Sequence, residues 1–173
     1  MTQALLALWR KLGLNKSVQL RILRFFNDEF LIGVTGVIFN EKNEVLLFKH
    51  TYRDVEWSLP GGFLKRGEHP KRGLEREIRE ESGFKVKVLK IIQATEDKNT
   101  ARLDLSYYGK FLDGAFKASD EVIEFSFFPV KKLPKLIEDQ YAQIEEGYRR
   151  YTAVQNRNAF KSLLQNIFQR NKE

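Results

Sequence analysis

Apolar residues along the first third of the chain change period. Leu5, Leu8, Trp9 and Leu12 recur at the i, i+3, i+4, i+7 spacing of a helix face, and Val18, Ile22, Phe25 and Phe26 form a second such stripe. Two short amphipathic helices are predicted, with Gly13 to Ser17 as the break and Ser17 as the N-cap of the second. From Phe30 the pattern turns to strands. Leu31–Phe39 and Val45–Lys49 flank Asn40-Glu41-Lys42-Asn43, a turn sequence, which predicts a hairpin. Leu103, Leu105, Tyr107 and Phe111 alternate with Arg102, Asp104, Ser106 and Lys110 as a half-buried strand does. Val122–Val130 reads as a further strand, punctuated by Pro129 and Pro134. Between these strands lies one helix, Pro70 to Ser82. A last helical region starts near Ile137, with Tyr141, Ile144, Tyr148 and Tyr151 on one face, followed by Phe160, Leu163, Leu164, Ile167 and Phe168. Strands surrounding helices without regular alternation predict an α+β layered domain.

Composition narrows the chemistry. A chain of 173 residues, 42% of them hydrophobic, can build one substantial core. With no cysteine and only His50 and His69 as imidazoles, thiolate chemistry and sulfur- or histidine-rich metal sites are excluded. A metal held here would be hard and oxygen-liganded. No apolar run is long enough to span a bilayer, so no stable membrane insertion is expected, and the N-terminus lacks the features of a cleaved signal. A cytoplasmic location is the simple expectation. The net charge of +7 belongs to the flanks: residues 30–130 hold 16 basic and 16 acidic side chains, whereas residues 1–29 hold 5 against 2 and residues 131–173 hold 9 against 5. Such flanks can attract phosphate-bearing partners, but a solvated surface explains them as well.

The segment Gly62 to Phe84 carries the strongest chemical signal. Pro70 suits the first position of a helix, where its missing N–H costs nothing, and Gly83 suits the left-handed position that ends one. On that helix Glu77, Glu80 and Glu81 fall within an arc of about 100°. Leu74 and Ile78 form the adjoining apolar stripe, and Lys71, Arg72, Glu75 and Arg79 fill the opposite face. Three carboxylates on one side repel one another by a few tenths of a kcal/mol per neighbouring pair. A divalent cation of the Mg²⁺ or Mn²⁺ type would offset that repulsion, since it takes converging oxygens and keeps water and substrate phosphate as remaining ligands. Glu68 lies in a loop able to fold back after the Pro60-Gly61-Gly62 turn, and Arg76 is spaced to orient Glu68 or Glu80.

This segment resembles the Nudix box, G-x5-E-x7-R-E-U-x-E-E-x-G-U with U apolar. Every specified position is filled, by Gly62, Glu68, Arg76, Glu77, Ile78, Glu80, Glu81, Gly83 and Phe84. The resemblance implies an α/β/α sandwich with a mixed β-sheet and hydrolysis of a nucleoside diphosphate linked to another moiety. It makes Glu77, Glu80 and Glu81 ligands of Mg²⁺ or Mn²⁺, with Glu68 a further ligand or orienting group and the carbonyl of Gly62 a possible addition. It also implies attack on phosphorus by a metal-activated water. The base is a box glutamate or an acidic residue before the late strand, where Glu121 and Glu124 are candidates. A polar strand edge explains that pair equally well.

Substrate choice is less legible. Tyr52, Arg53 and Trp57 precede the box and could stack a base or pair with phosphate, although Trp57 with Leu59 fits a strand core equally well. The pattern does not choose among nucleoside triphosphates, dinucleotides, nucleotide sugars and a 5′-triphosphorylated RNA end. Two other functions fit the resemblance. A diphosphate isomerase is disfavoured because its chemistry looks thiol-dependent, and a non-catalytic nucleotide sensor because no box ligand is degraded. The predicted organisation is a helical extension over 1–29, a core over 30–135 and a helical region over 136–173 packed on the core or in a dimer. The N-terminal helices could serve as a homodimer arm, a membrane-surface helix or a lid on the core.

Overall fold

A computed structural model describes residues 15–26, 30–51, 55–97 and 100–170, with the side chains of 23–26, 97, 163–164 and 166–170 left out of the description. The stripe from Leu5 to Leu12 therefore lies outside the described residues, as do Tyr52 and Arg53. Helix α1 spans Lys16–Phe26. Its cap is Asn15 rather than Ser17: the Asn15 Oδ1 accepts the Val18 N–H at 3.0 Å, so the helix starts before the serine is reached.

Seven strands form one mixed sheet: β1 (Leu31–Phe39), β2 (Val45–His50), β3 (Trp57–Ser58), β4 (Gly61–Phe63), β5 (Lys85–Asp97), β6 (Arg102–Asp113) and β7 (Val122–Phe128). Helix α2 covers Pro70–Ser82 and α3 covers Glu138–Arg170. The strand order is β3-β2-β1-β6-β5, with β4 on β1 and β7 on β2. The β1–β6 pairing is parallel and continuous from Leu31↔Arg102 to Phe39↔Lys110, whereas the other pairings are antiparallel.

The predicted hairpin is only a corner. Asn40 closes it, its Oδ1 accepting the N–H groups of Lys42 and Glu44 at 2.9 Å each, and Asn43 takes a left-handed φ of 61°. Beyond Phe39↔Val45 the two strands part, because Gly33, Val34 and Thr35 of β1 pair with β4 and β2 pairs along its length with β7. The strand pattern also passed over β5. Its Lys85-Val86-Lys87-Val88 alternation is plain, but the register with β6 shifts between Val88 and Lys90 and again between Ile91 and Gln93, so the two-residue period does not persist.

Alternation along the strands divides the core into two layers. Val34, Ile38, Leu46, Phe48, Tyr107 and Val122 meet Leu74 and Ile78 of α2 on one face. Val37, Phe39, Val45, Leu47 and Tyr108 meet Ile144 and Tyr151 of α3 on the other. The result is a helix–sheet–helix sandwich of the α+β class. Gly147 allows α3 its close seat: a β-carbon there would lie 3.1 Å from side-chain atoms of both Val37 and Ile92. On α3 only Ile144 and Tyr151 of the tyrosine-rich stripe are buried; Tyr141 and Tyr148 stay 40% and 36% exposed. Among the described residues no helix is long and apolar enough to cross a membrane.

Candidate active site

The site is built on α2 and the short strand before it. His69 starts the helix as N-cap, its Nδ1 accepting the Lys71 N–H at 3.3 Å, and Pro70 follows at the first helical position. Gly83 ends it with φ +78°, its N–H bonded to the Arg79 carbonyl at 2.9 Å. Burial of Leu74 and Ile78 against the sheet fixes the helix rotation. The carboxylates of the next sector then meet the loop between β4 and α2.

Arg76 organises that meeting. Its Nε and Nη2 form a fork onto Glu68, at 2.8 Å to Oε1 and 2.9 Å to Oε2. Its Nη1 donates to Glu77 Oε1 at 2.7 Å and to Glu80 Oε2 at 3.0 Å, and Nη2 also reaches the Phe63 carbonyl at 3.1 Å. Those contacts occupy all five guanidinium donors. Hydrogen bonds from Arg76 and from the Lys65 backbone N–H hold the Glu68 carboxyl down at about 2. Arg76 also lowers Glu80, helped by Lys65 Nζ at 3.6 Å, and the surrounding carboxylates raise the guanidinium further above its ordinary range. Glu81 is half-buried on the same side of the helix, with its Oε2 buried.

Gly62 completes the arrangement. A β-carbon at this position would lie 2.5 Å from Glu77 Cδ and 2.7 Å from its Oε2, so the missing side chain is the space in which the Glu77 carboxylate sits. As they stand, Glu68, Glu77 and Glu80 are turned onto Arg76, and among the described residues no three acidic or imidazole groups converge in ligating geometry. The donor set nevertheless suits a hard divalent cation: four carboxylates and a main-chain carbonyl, without sulfur or imidazole, beside a cradle that a side chain at Gly62 would fill. Arg76 supplies the positive charge that lets Glu68, Glu77 and Glu80 lie together.

The remaining candidates lie on other elements. Glu121 is exposed in the loop before β7, and Glu124 is exposed on β7 with Lys49 Nζ at 3.5 Å. Trp57 is half-buried on β3, edge-on to Phe128 at 5.1 Å and under Lys49 Nζ at 6.0 Å, within the layer covered by α3.

Sequence reasoning missed a cleft of about 310 Å³ that also borders Gly62. Phe63, Arg102, Ile137 and Gln140 line it with Thr35 and Leu59. It opens where the N-terminal end of α3 stops covering the sheet. Arg102 and Gln140 are far apart in sequence and sit in unremarkable polar positions, so only Phe63, inside the box, had any signal to offer.

Comparison with known proteins identifies the family. The NUDIX domain family profile matches residues 29–151. An ADP-ribose pyrophosphatase of Methanocaldococcus jannaschii is 32% identical over 126 residues, covering 69% of this chain and 73% of that protein. A putative ADP-ribose pyrophosphatase of Bacillus subtilis is 31% identical over 110 residues; the match covers 60% of this chain and about half (52%) of that longer relative. Among solved structures, a UDP-X diphosphatase superposes with a TM-score of 0.64 at 26% identity, over 87% of this chain and 79% of the other. A profile match across most of the sandwich, box included, makes the chain a member of the Nudix family of hydrolases.

Proposed function

We propose that the chain hydrolyses the diphosphate linkage of a nucleoside diphosphate derivative of the ADP-ribose or UDP-sugar type, using Mg²⁺ or Mn²⁺. The observation that carries this reading is the gathering of Glu68, Glu77 and Glu80 by Arg76 against Gly62, at the border of the cleft. Glu77, Glu80 and Glu81 would hold the cation, with Glu68 and the Gly62 carbonyl as further oxygens. Bound there, it would supply charge neutralisation at the diphosphate and a more acidic attacking water. Arg76 keeps the carboxylates ionised and aimed. A box glutamate takes the proton of the attacking water, or Glu121 does so from the loop before β7; Glu124 is held by Lys49. The nucleoside lies in the cleft, with the diphosphate directed toward Gly62. The names of the similar proteins support this substrate class.

The test is a panel of ADP-ribose, UDP-glucose, dinucleotides, nucleoside triphosphates and 5′-triphosphorylated RNA, scored for release of monophosphate or diphosphate products. Turnover of a nucleoside diphosphate derivative with Mg²⁺ or Mn²⁺ that stops in excess chelator supports the reading. Full turnover in chelator, or activity confined to RNA ends, would sink it.

A further inference from the structure

The hydrogen-bonding groups of the cleft are mostly donors. Gln140, in the first turn of α3, accepts the Leu59 N–H on its Oε1 at 3.1 Å. Because a backbone N–H can only donate, that contact fixes which end of the amide is oxygen. The Gln140 NH₂ group is left as a pure donor without a partner among the described residues.

Arg102 enters from β6 and is held by two partners. Its Nε and Nη2 contact the same oxygen of Asp104, at 2.8 and 2.7 Å, and its guanidinium lies 5.1 Å from the centre of the Phe63 ring. Gly33 makes room for this pair: a β-carbon there would lie 2.0 Å from Asp104 Oδ1 and 3.2 Å from Arg102 Nε and Nη2. The Arg102 Nη1 has no partner among the described residues and remains a second donor. Thr35 can act either way. Phe63 and Ile137, each 48% exposed, offer apolar surface to a flat ring.

We infer that this cleft reads the nucleobase and selects one presenting a ring carbonyl where the alternative presents an exocyclic amine, uracil over cytosine being the simplest pair. The inference rests on the proposed function, since it assigns the nucleoside to the cleft. A carbonyl oxygen accepts from the Gln140 NH₂ or from Arg102. An amine at the same ring position sets donor against donor and leaves both without water.

Binding of UMP and CMP, measured by calorimetry without metal, tests the idea separately from hydrolysis. The two ligands carry the same phosphate charge and differ in one edge of the ring, where uracil presents an accepting carbonyl beside a donating N3–H and cytosine a donating amine beside an accepting N3. UMP is expected to bind about tenfold tighter, the effect of roughly one hydrogen bond. Gln140→Glu keeps an acceptor for the Leu59 N–H but turns the donor into an acceptor. Its added charge weakens both ligands alike, so the UMP-to-CMP ratio should fall to one or below. Equal binding by the wild-type protein overturns the inference, as does a ratio unchanged in a folded Gln140→Glu variant. Should that variant fail to fold, the wild-type ratio alone decides. A clear UMP preference with no hydrolysis of any nucleoside diphosphate derivative would instead count against the proposed function.

Discussion

Gly62 and Glu77 occupy one another's space. The Glu77 carboxylate carbon would stand 2.5 Å from a β-carbon at residue 62, closer than any non-bonded carbon pair tolerates. Gly62→Ala should therefore swing Glu77 off Arg76 and away from the site, while β4 still pairs with β1. Turnover is expected to fall at least tenfold, with the melting temperature changed by only a few degrees. Steady-state rates and a thermal melt check both; wild-type turnover would show that the carboxylate's position is immaterial.

Arg76 uses all five donors, and a lysine has three on a single nitrogen. Arg76→Lys should keep the charge but lose the fork onto Glu68 together with the reach to Glu77 and Glu80. A lower melting temperature and a fall in turnover of about tenfold or more are expected, with KM changed less than kcat. Retained wild-type kcat in Arg76→Lys would mean that charge alone suffices.

Glu81 tests whether the acidic sector does more than decorate the helix. Glu81→Gln removes a charge that a hard cation needs while preserving shape. Turnover at saturating Mg²⁺ should drop by orders of magnitude, each ~1.4 kcal/mol lost at the transition state being tenfold in rate. In chelator the variant should melt at or slightly above the wild-type temperature, since carboxylate repulsion falls by a few tenths of a kcal/mol. Near-wild-type rates on an identified substrate would remove Glu81 from the site.

Glu68 sets a signature in acid. Arg76 and the Lys65 N–H depress its carboxyl from an ordinary value near 4.5 to about 2. A depressed folded-state pKa means the contribution to stability is present above the ordinary value and is lost as pH falls from about 4.5 toward about 2. Glu80 shifts in the same direction. Glu146, held by Arg149 and Arg150, is likewise lowered to about 2, so acid weakens the wild-type chain at more than one place. The difference in melting temperature between wild type and Glu68→Gln should therefore be largest above pH 5 and shrink through this window. A constant difference from pH 7 to pH 2 would contradict the Glu68–Arg76 linkage.

The helix of the candidate site was legible in the sequence because its determinants are local. Pro70, Gly83, the Leu74–Ile78 stripe and the one-sided glutamates all act within a few turns, and helical geometry places them without reference to the rest of the chain. The two-layer core was legible in part, since alternation tells which residues share a face but not which strand lies beside which. Pairing is non-local: β1 keeps one residue pair with its sequence neighbour β2, gives Gly33–Thr35 of its strand to β4, and lies parallel to β6 along its other edge. The bulges in β5 concealed a strand whose composition was otherwise clear. Tertiary structure alone decided the cleft. It brings Arg102 of β6 onto Phe63 of β4 and hangs Gln140 of α3 from the Leu59 backbone, and no local period records contacts between residues separated by dozens of positions. Glu77, Glu80 and Glu81 owe their sector to one helix, whereas the cleft owes its shape to four elements meeting, β1, β4, β6 and α3, which is why the sequence determined the carboxylate face and only the fold decided the cleft beside it.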